Sequence, residues 1–425
     1  MDLGPDGFLA RRPEALTLIH ELGLDDQLEA VAASGASLWL RGSLHEIPSG
    51  LALGVPTSSS SLKSMGGLSW RARAHARRDE LFPVRLAVGD DASIGDIVRA
   101  KLGSELSYQF IEPMVGGIQA GRIDDLSALS VFPALLQAAR HGGSLMKALK
   151  TLGAAGPSPS GPTTPAPAPG PMFCSLVNGV GSLPVELARQ LAQRQVVLRT
   201  NVRVSALRRS PAGDYPWEVD TDTTATPADA VVIATNGAVA GDLLHEFDPA
   251  FEGLSALSSA SAAMVTFCVP RPNITLPQHG TGILVPLATD WSGSSSMMIT
   301  AVTFLDVKWP HLRHDDDVVV RAHVGRIDDV RSASMSDDEL VTRVAQELAV
   351  LLGHFESPLE TLVQRWPDGL PQYYVGHERM VQRAKAACGA LRLALAGNAY
   401  DGVGIPASIG SGRRAAREVL ALLQQ

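Results

Sequence analysis

Apolar residues recur along this chain with two different periods, and the changes of period mark out its elements. Pro13 to Gly23 predicts a short helix: proline takes its first position, Leu16, Ile19 and Leu22 share one face, and Gly23 stops it. From Val84 to about Lys150 the spacing stays helical, with Ile94, Ile97, Val98 and Leu102 in one segment and Leu135, Leu136, Leu145 and Leu149 further on. Ser182 to Gln193 reads as another helix, and Val196 to Val204 as the strand that follows it. Asp229 to Gly237 is an apolar run closing in a turn, the pattern of a parallel strand buried on both faces, and it suggests a doubly wound sheet. Between residues 260 and 325 the β-rich runs Ala263 to Val269 and Asp317 to Val324 predict a largely antiparallel sheet. Leu340, Val344, Leu348 and Leu351 then place a helix over Asp337 to Leu352.

Composition bounds this picture. A chain of 425 residues exceeds one ordinary core, and 45% hydrophobic content can fill two or three. Residues 153–171, dominated by Pro, Ala and Gly, read as a semi-rigid solvated linker or surface loop. A net charge of -8 argues against a nucleic-acid partner, whose phosphates call for a basic surface. Cys174, Cys268 and Cys388 lie too far apart for a disulfide framework or a paired metal site, so a reducing, cytoplasmic setting is expected. No apolar run approaches the ~20 residues of a spanning helix, and the first residues lack the signature of a signal peptide. The expectation is a soluble chain, or one at most peripheral to a membrane.

The chemistry is concentrated near the C-terminus. Leu393 to Arg413 joins an apolar strand to a glycine-rich turn and then a helix. Backbone N–H groups at Gly397, Gly402, Val403 and Gly404 can approach a polyanion without interference from Cβ, and the following helix, opening Ile405-Pro406, presents its positive end. This run resembles the FAD-contacting motif of the bacterial protoporphyrinogen/coproporphyrinogen III oxidases of the flavin amine oxidase superfamily. Four further segments match that family in order: Gly4 to Pro13, Glu112 to Gly121, Asn178 to Pro184 and Arg365 to Tyr373.

The resemblance implies an α/β fold with a truncated Rossmann-like FAD-binding domain, an antiparallel-sheet substrate domain and a mainly helical insertion. It divides the chain into a discontinuous FAD-binding domain over residues 1–33, 172–246 and 375–425, a helical domain over 34–152 and a substrate domain over 247–374. Family members begin with a strand, a glycine-rich turn and a helix, and this chain shows no such unit upstream of Gly4, so a crossover of ~30 residues is expected to be missing. Met1 stands where an apolar strand residue belongs, as if an internal valine codon had been read as a start. Poor FAD retention and a partly exposed apolar sheet are the expected consequences.

Site residues follow by the same resemblance. The Gly4-Pro5-Asp6-Gly7 turn is implied to lie against the flavin, the main chain of Val202 against the adenine, and Trp366 near the flavin ring. Arg12 is implied to sit beside a substrate propionate. Ala234 to Gly237, at the end of the apolar run, occupies the place where open α/β sheets bind ligands. The turn Gly179-Val-Gly-Ser182 has Pro184 in place of a third glycine and reads as the lead-in to a helix, not a second nucleotide site. His311 and His314 with Asp315 to Asp317 read as a solvated loop, so no metal is expected, and the basic run Arg71 to Arg78 reads as a solvated helix surface. The implied reaction is the six-electron, FAD- and O2-dependent oxidation of coproporphyrinogen III to coproporphyrin III, with hydride leaving a meso carbon and no side-chain nucleophile. Protoporphyrinogen IX is the alternative substrate, and a non-catalytic porphyrin- or partner-binding remnant is the alternative role. A polyamine oxidase or carotenoid desaturase would share the C-terminal turn, but not the segments at Gly4 and Glu112.

Overall fold

The computed structural model describes residues 2–32, 35–82, 85–152, 171–210, 215–287 and 297–424. Met1 and nearly all of the expected linker, residues 153–170, lie outside the described residues. Two compact units divide the chain: Met1–Ala30, Thr163–Ser258 and Gly376–Gln425 form one, and Val31–Pro162 with Ser259–Val375 form the other.

In the first unit, Val231–Ile233 and Leu393–Leu395 run parallel in register, Val231 against Leu393 and Ile233 against Leu395. Their buried side chains join Trp217, Phe251, Val381 and Leu244 in one core. The Trp217 indole is fully buried, donates to the Leu391 carbonyl at 2.9 Å, and meets the edge of Phe247. A smaller antiparallel sheet orders Phe8–Leu9, Phe173–Leu176 and Leu28–Ala30, and the helix Pro13–Glu21 packs Ala15 and Ile19 into its core. The helix Ser182–Gln193 forms where its pattern predicts.

Two readings of this unit are corrected. The expected strand Val196 to Val204 does not form: strand structure begins only at Val204 and runs to Arg209. Residues 196–203 are irregular, with Val197 75% and Leu198 51% exposed. Their pattern suits a strand, but no described strand lies alongside to complete their backbone hydrogen bonds, and an isolated extended segment has nothing to hold it. The run after Asp229 is a parallel strand, yet it is not buried on both faces, because Val232 is 42% exposed. Its one described strand neighbour is Leu393–Leu395, so among the described residues no strand pairs with its other edge.

The second unit is built on a seven-stranded sheet in the order Glu360–Pro371, Ser259–Pro270, Asp317–Val324, Ile299–Phe304, Gly282–Leu284, Ser37–Leu40 and Ser43–Glu46. Neighbours are antiparallel except Gly282–Leu284 with Ser37–Leu40. The helix Asp337–Leu352 lays Leu340, Val344, Leu348 and Leu351 onto this sheet against Val265, Phe267 and Val320. Its ends explain its length. Ser336 and Glu339 form a reciprocal capping box, and Gly353 closes the last turn at φ +75°.

The helices Trp70–Leu81, Ile94–Leu102, Glu112–Gln119, Pro133–His141 and Leu145–Thr151 belong to this same unit. A buried ion pair ties them to the sheet. The carboxylate of Glu112, with no solvent exposure, accepts from Arg326 Nη2 at 2.8 Å and from the Ile123 N–H at 3.0 Å, with Arg122 Nε 3.0 Å away. Glu112→Gln would leave the buried Arg326 only its longer carboxylate contact, with Asp328 at 3.4 Å, and breaking such a pair costs roughly 3–5 kcal/mol. We expect a loss of that size in chemical denaturation, and a loss below about 1 kcal/mol would show the pair to be dispensable.

Candidate functional site

The parallel strands Val231–Ile233 and Leu393–Leu395 end side by side, and the chain turns away from both at their carboxyl ends. A Cβ on Gly397 would come within 3.9 Å of the Ala234 carbonyl, so the two turns approach closely. Gly397, Gly402 and Gly404 have φ of +119°, +104° and +99°, conformations that only glycine adopts readily. A short helix, Asn398–Asp401, fills the space between the first two, and Gly404 leads into the helix Ile405–Leu423 with Pro406 in its first turn.

The first N–H groups of a helix have no intrahelical acceptor, and here they stand at the positive end of a 19-residue dipole. A Cβ added at Gly404 would meet no atom within 4 Å, so the space in front of this turn is open. The donor set is backbone N–H, the location is the carboxyl end of a parallel pair, and the opening is lined by glycine. That combination fits a cofactor carrying a pyrophosphate.

One expected donor is already engaged. The Gly397 N–H does not face outward: it donates to Ser411 Oγ at 2.9 Å, and Ser411 in turn donates to the Asp401 carboxylate. Lys385 Nζ lies 2.6 Å from Asp401, and Arg414 reaches it at 2.7 Å while also donating to the Leu395 carbonyl at 2.6 Å. The turn is thereby tied to the end of its own strand. Burial pushes the Asp401 carboxyl upward, but hydrogen bonds from Arg414, Lys385 and Ser411 outweigh it and hold the pKa below the ordinary value. Sequence reasoning missed this network, although Ala407, Ser411 and Ala415 share a buried helix face on which a lone serine is the odd residue. Nearby, burial raises the Tyr400 hydroxyl and lifts the Cys388 thiol to about 12, so both are neutral at physiological pH.

The remaining expected residues fall as follows. Gly4, Pro5, Asp6 and Gly7 precede the strand Phe8–Leu9, and Ser175 Oγ donates to the Asp6 carbonyl at 2.8 Å. The turn at Gly179 is filled by the chain itself, since the Asp2 carboxylate accepts from the N–H groups of Val180 and Gly181 at 2.9 and 2.8 Å. Arg12 pairs with Glu14 at 3.1 Å, which leaves its charge compensated locally. Val202 is 39% exposed in the irregular stretch, and Asn236 caps the helix Gly237–Leu244 through Val239 N–H at 2.9 Å. Trp366 belongs to the second unit, half-exposed on the edge strand opposite Ala262.

The second unit also has a cleft of about 490 Å³ lined by Val285, Met297, Ile299 and three arginines. Each guanidinium there is paired: Arg122 with Asp328, Arg326 with Glu112 and Arg331 with Asp329, at 2.8, 2.8 and 2.6 Å. The loop after His311 is organised by Arg271, which donates to Asp306 and to the carbonyls of His314, Asp315 and Asp317. Among the described residues, no three His, Cys, Asp or Glu side chains gather as metal ligands do.

Comparison with known proteins agrees with this geometry. Residues 1–420 match the flavin containing amine oxidoreductase family. Coproporphyrinogen III oxidase of Bacillus subtilis is 31% identical over 100% of this chain and 87% of its own length. Human protoporphyrinogen oxidase is 30% identical over 99% of this chain and 87% of its own. A solved structure from Exiguobacterium sp. 255-15, provisionally named a protoporphyrinogen oxidase, superposes with a TM-score of 0.82 at 29% identity, covering 100% of this chain and 88% of that one. UDP-galactopyranose mutase, at 12% identity and a TM-score of 0.68 over 99% of this chain and 85% of that one, shares the fold. Fold and site together define an FAD-dependent oxidoreductase. The chain belongs to the flavin containing amine oxidoreductases, and within them to the protoporphyrinogen/coproporphyrinogen III oxidases.

The Asp401 network gives a pH-dependent prediction. A carboxyl with a depressed native pKa contributes stability that is complete above its unfolded pKa, near 3.8, and is lost as pH falls through the lower native value. Asp401→Asn and Ser411→Ala should each lower stability near neutral pH by about 1–3 kcal/mol. For Asp401→Asn alone, the gap to the parent chain should close as the melt is repeated at progressively more acid pH. A gap that is constant with pH would refute the assigned role of the carboxylate.

Proposed function

We propose that this chain oxidises coproporphyrinogen III to coproporphyrin III in porphyrin synthesis, with FAD as cofactor and O2 as final acceptor. The reading rests on one observation: similarity along the whole chain to proteins named coproporphyrinogen III oxidase, from Bacillus subtilis, Staphylococcus aureus and Mycobacterium leprae, at 29–31% identity. Bound FAD would supply hydride acceptance at N5 and reoxidation by O2 to hydrogen peroxide.

The protein's part is to bind, orient and exclude water. The N–H groups of Val403, Gly404 and Ile405, with the helix dipole behind them, would hold the cofactor's negative oxygens, while Gly397, Gly402 and Pro406 shape the turn. Lys385, Arg414 and Ser411 fix the turn through Asp401. By the same resemblance, the main chain of Gly4, Pro5, Asp6 and Gly7 would lie toward the flavin and that of Val202 toward the adenine. Arg12 exchanges Glu14 for a substrate propionate, a charge-assisted bond of the same kind. Coproporphyrinogen III carries more propionates than protoporphyrinogen IX, so it gains more from such a partner. No side chain acts as nucleophile, and the site works by alignment.

A second reading has its own observation. Val232 of the parallel pair and Val197, Leu198 and Val202 of the irregular stretch are all exposed, so apolar surface of the first unit is poorly covered, which favours weak FAD retention and a chain that binds porphyrin or a partner without flavin. The test is flavin absorbance and FAD titration of the purified chain, followed by porphyrin fluorescence with each porphyrinogen. We expect saturable FAD binding, faster turnover of coproporphyrinogen III, and about tenfold weaker FAD binding for Gly404→Val, whose side chain is strained at positive φ. Porphyrin binding without flavin would establish the second reading, and turnover of protoporphyrinogen IX alone would overturn the substrate.

A further inference from the structure

The turn Gly179-Val-Gly-Ser182, which the sequence presents as the lead-in to a helix, holds an anion that belongs to the chain itself. Gly179 turns at φ +85°, and the next two N–H groups converge on one carboxylate: Asp2 Oδ2 accepts from Val180 at 2.9 Å and Asp2 Oδ1 from Gly181 at 2.8 Å. The helix Ser182–Gln193 starts directly behind them, so the positive end of a 12-residue dipole strengthens both bonds. The fit leaves no room for a side chain. A Cβ on Gly179 would stand 2.6 Å from Asp2 Oδ2, and one on Gly181 would stand 2.9 Å from Oδ1.

Only Leu3 separates Asp2 from the Gly4-Pro5-Asp6-Gly7 turn. The far end of that turn is fixed as well, because Ser175 Oγ donates to the Asp6 carbonyl at 2.8 Å and Phe8 pairs with Cys174. The turn belongs to no helix or strand, and it is held at both ends. One core joins this region to the helix at the glycine-lined opening. Phe8, Val180 and Leu183 are buried in a single cluster, and Ile405 and Ile409, from the first turns of the helix Ile405–Leu423, pack against it. Gly7 leads into Phe8 and Gly404 leads into Ile405, so both turns enter the same core.

We propose that Asp2 is a positioning residue for FAD: its carboxylate, seated on the Gly179–Ser182 turn, holds the main chain of Gly4 to Gly7 in the path that faces the flavin. The proposal rests on the reading that this turn lies toward the flavin. A stretch with two glycines has much freedom to lose when it is fixed. A tether that orders it before the cofactor arrives removes that loss from the binding step. Asp2 thus acts on FAD affinity without touching the cofactor, and the dinucleotide-like glycines at 179 and 181 serve a carboxylate of the same chain.

The test is FAD titration of the full-length chain by quenching of flavin fluorescence, with melting of the same chain before FAD is added. Asp2→Asn keeps the size of the side chain but turns an amide toward two N–H groups, and Gly179→Ala crowds the carboxylate from the other side. For each we expect about tenfold weaker FAD binding and an altered visible band of the bound flavin. Formate, added to Asp2→Ala against chloride at equal ionic strength, should raise the melting temperature and leave FAD binding weak, because a free anion satisfies the N–H groups but tethers no chain. FAD binding by Asp2→Asn within about twofold of the parent, FAD affinity restored by formate, or no saturable FAD binding in the parent would overturn the proposal. Pro5→Phe, in the turn itself, separates this proposal from the reading beneath it. Weaker FAD binding there beside an unchanged Asp2→Asn would keep the turn against the flavin and remove the part given to Asp2, whereas unchanged binding in Pro5→Phe would place the turn away from the flavin and overturn both.

Discussion

The constraint on which the rest of the site depends is the left-handed backbone at Gly397, Gly402 and Gly404. Three residues at φ near +100° turn the chain from the end of a parallel strand into a helix in very few residues. That geometry sets the helix N-terminus beside the strand ends, with no described atom within 4 Å of a Cβ placed on Gly404. A side chain at Gly404 would meet no neighbouring atom, so the demand there is conformational; the space is left for something outside the chain. The cost of holding so unusual a path is met by Asp401, whose carboxylate gathers Lys385, Arg414 and Ser411. Arg414 also reaches the Leu395 carbonyl, so one side chain grips both the strand and the turn that leaves it.

Charge is handled differently in the second unit. Glu112, Arg326, Arg122 and Asp328 neutralise one another at distances near 3 Å, two of them fully out of solvent. Such a network adds little net stability over apolar packing, but removal of a single member leaves an uncompensated buried charge. Its effect is to make the helical segment and the sheet fit in one arrangement. With Arg331 paired separately to Asp329, each of the three arginines beside the cleft has an acid of the same chain against it.

Legibility from sequence followed the locality of the forces. The helix Asp337–Leu352 was readable because its apolar phase, its capping box and its terminal Gly353 all lie within the element. The glycine turn was readable for the same reason. Residues 196–203 were not, because a strand is stabilised by a neighbour, and an alternating pattern does not supply one. Asp401 and its partners escaped notice because they stand 10 to 16 residues apart, joined only when the turn has folded. Arg12 shows a further limit: its motif position implies a propionate beside it, whereas its pairing with Glu14, two places on, is visible only in the folded chain.

Two arginine-rich surfaces in this molecule thus carry opposite meanings, and burial decides which. In the cleft, desolvated guanidinium groups must be paired, so their arrangement is fixed by acids of the same chain. On the helix Trp70–Leu81 the side chains of Arg71, Arg77 and Arg78 are exposed, so packing does not dictate the composition of that face. Exposed Trp70, Leu81 and Phe82 gain nothing from water. Alanine would serve the helix better at these positions, where no packing rewards a large side chain.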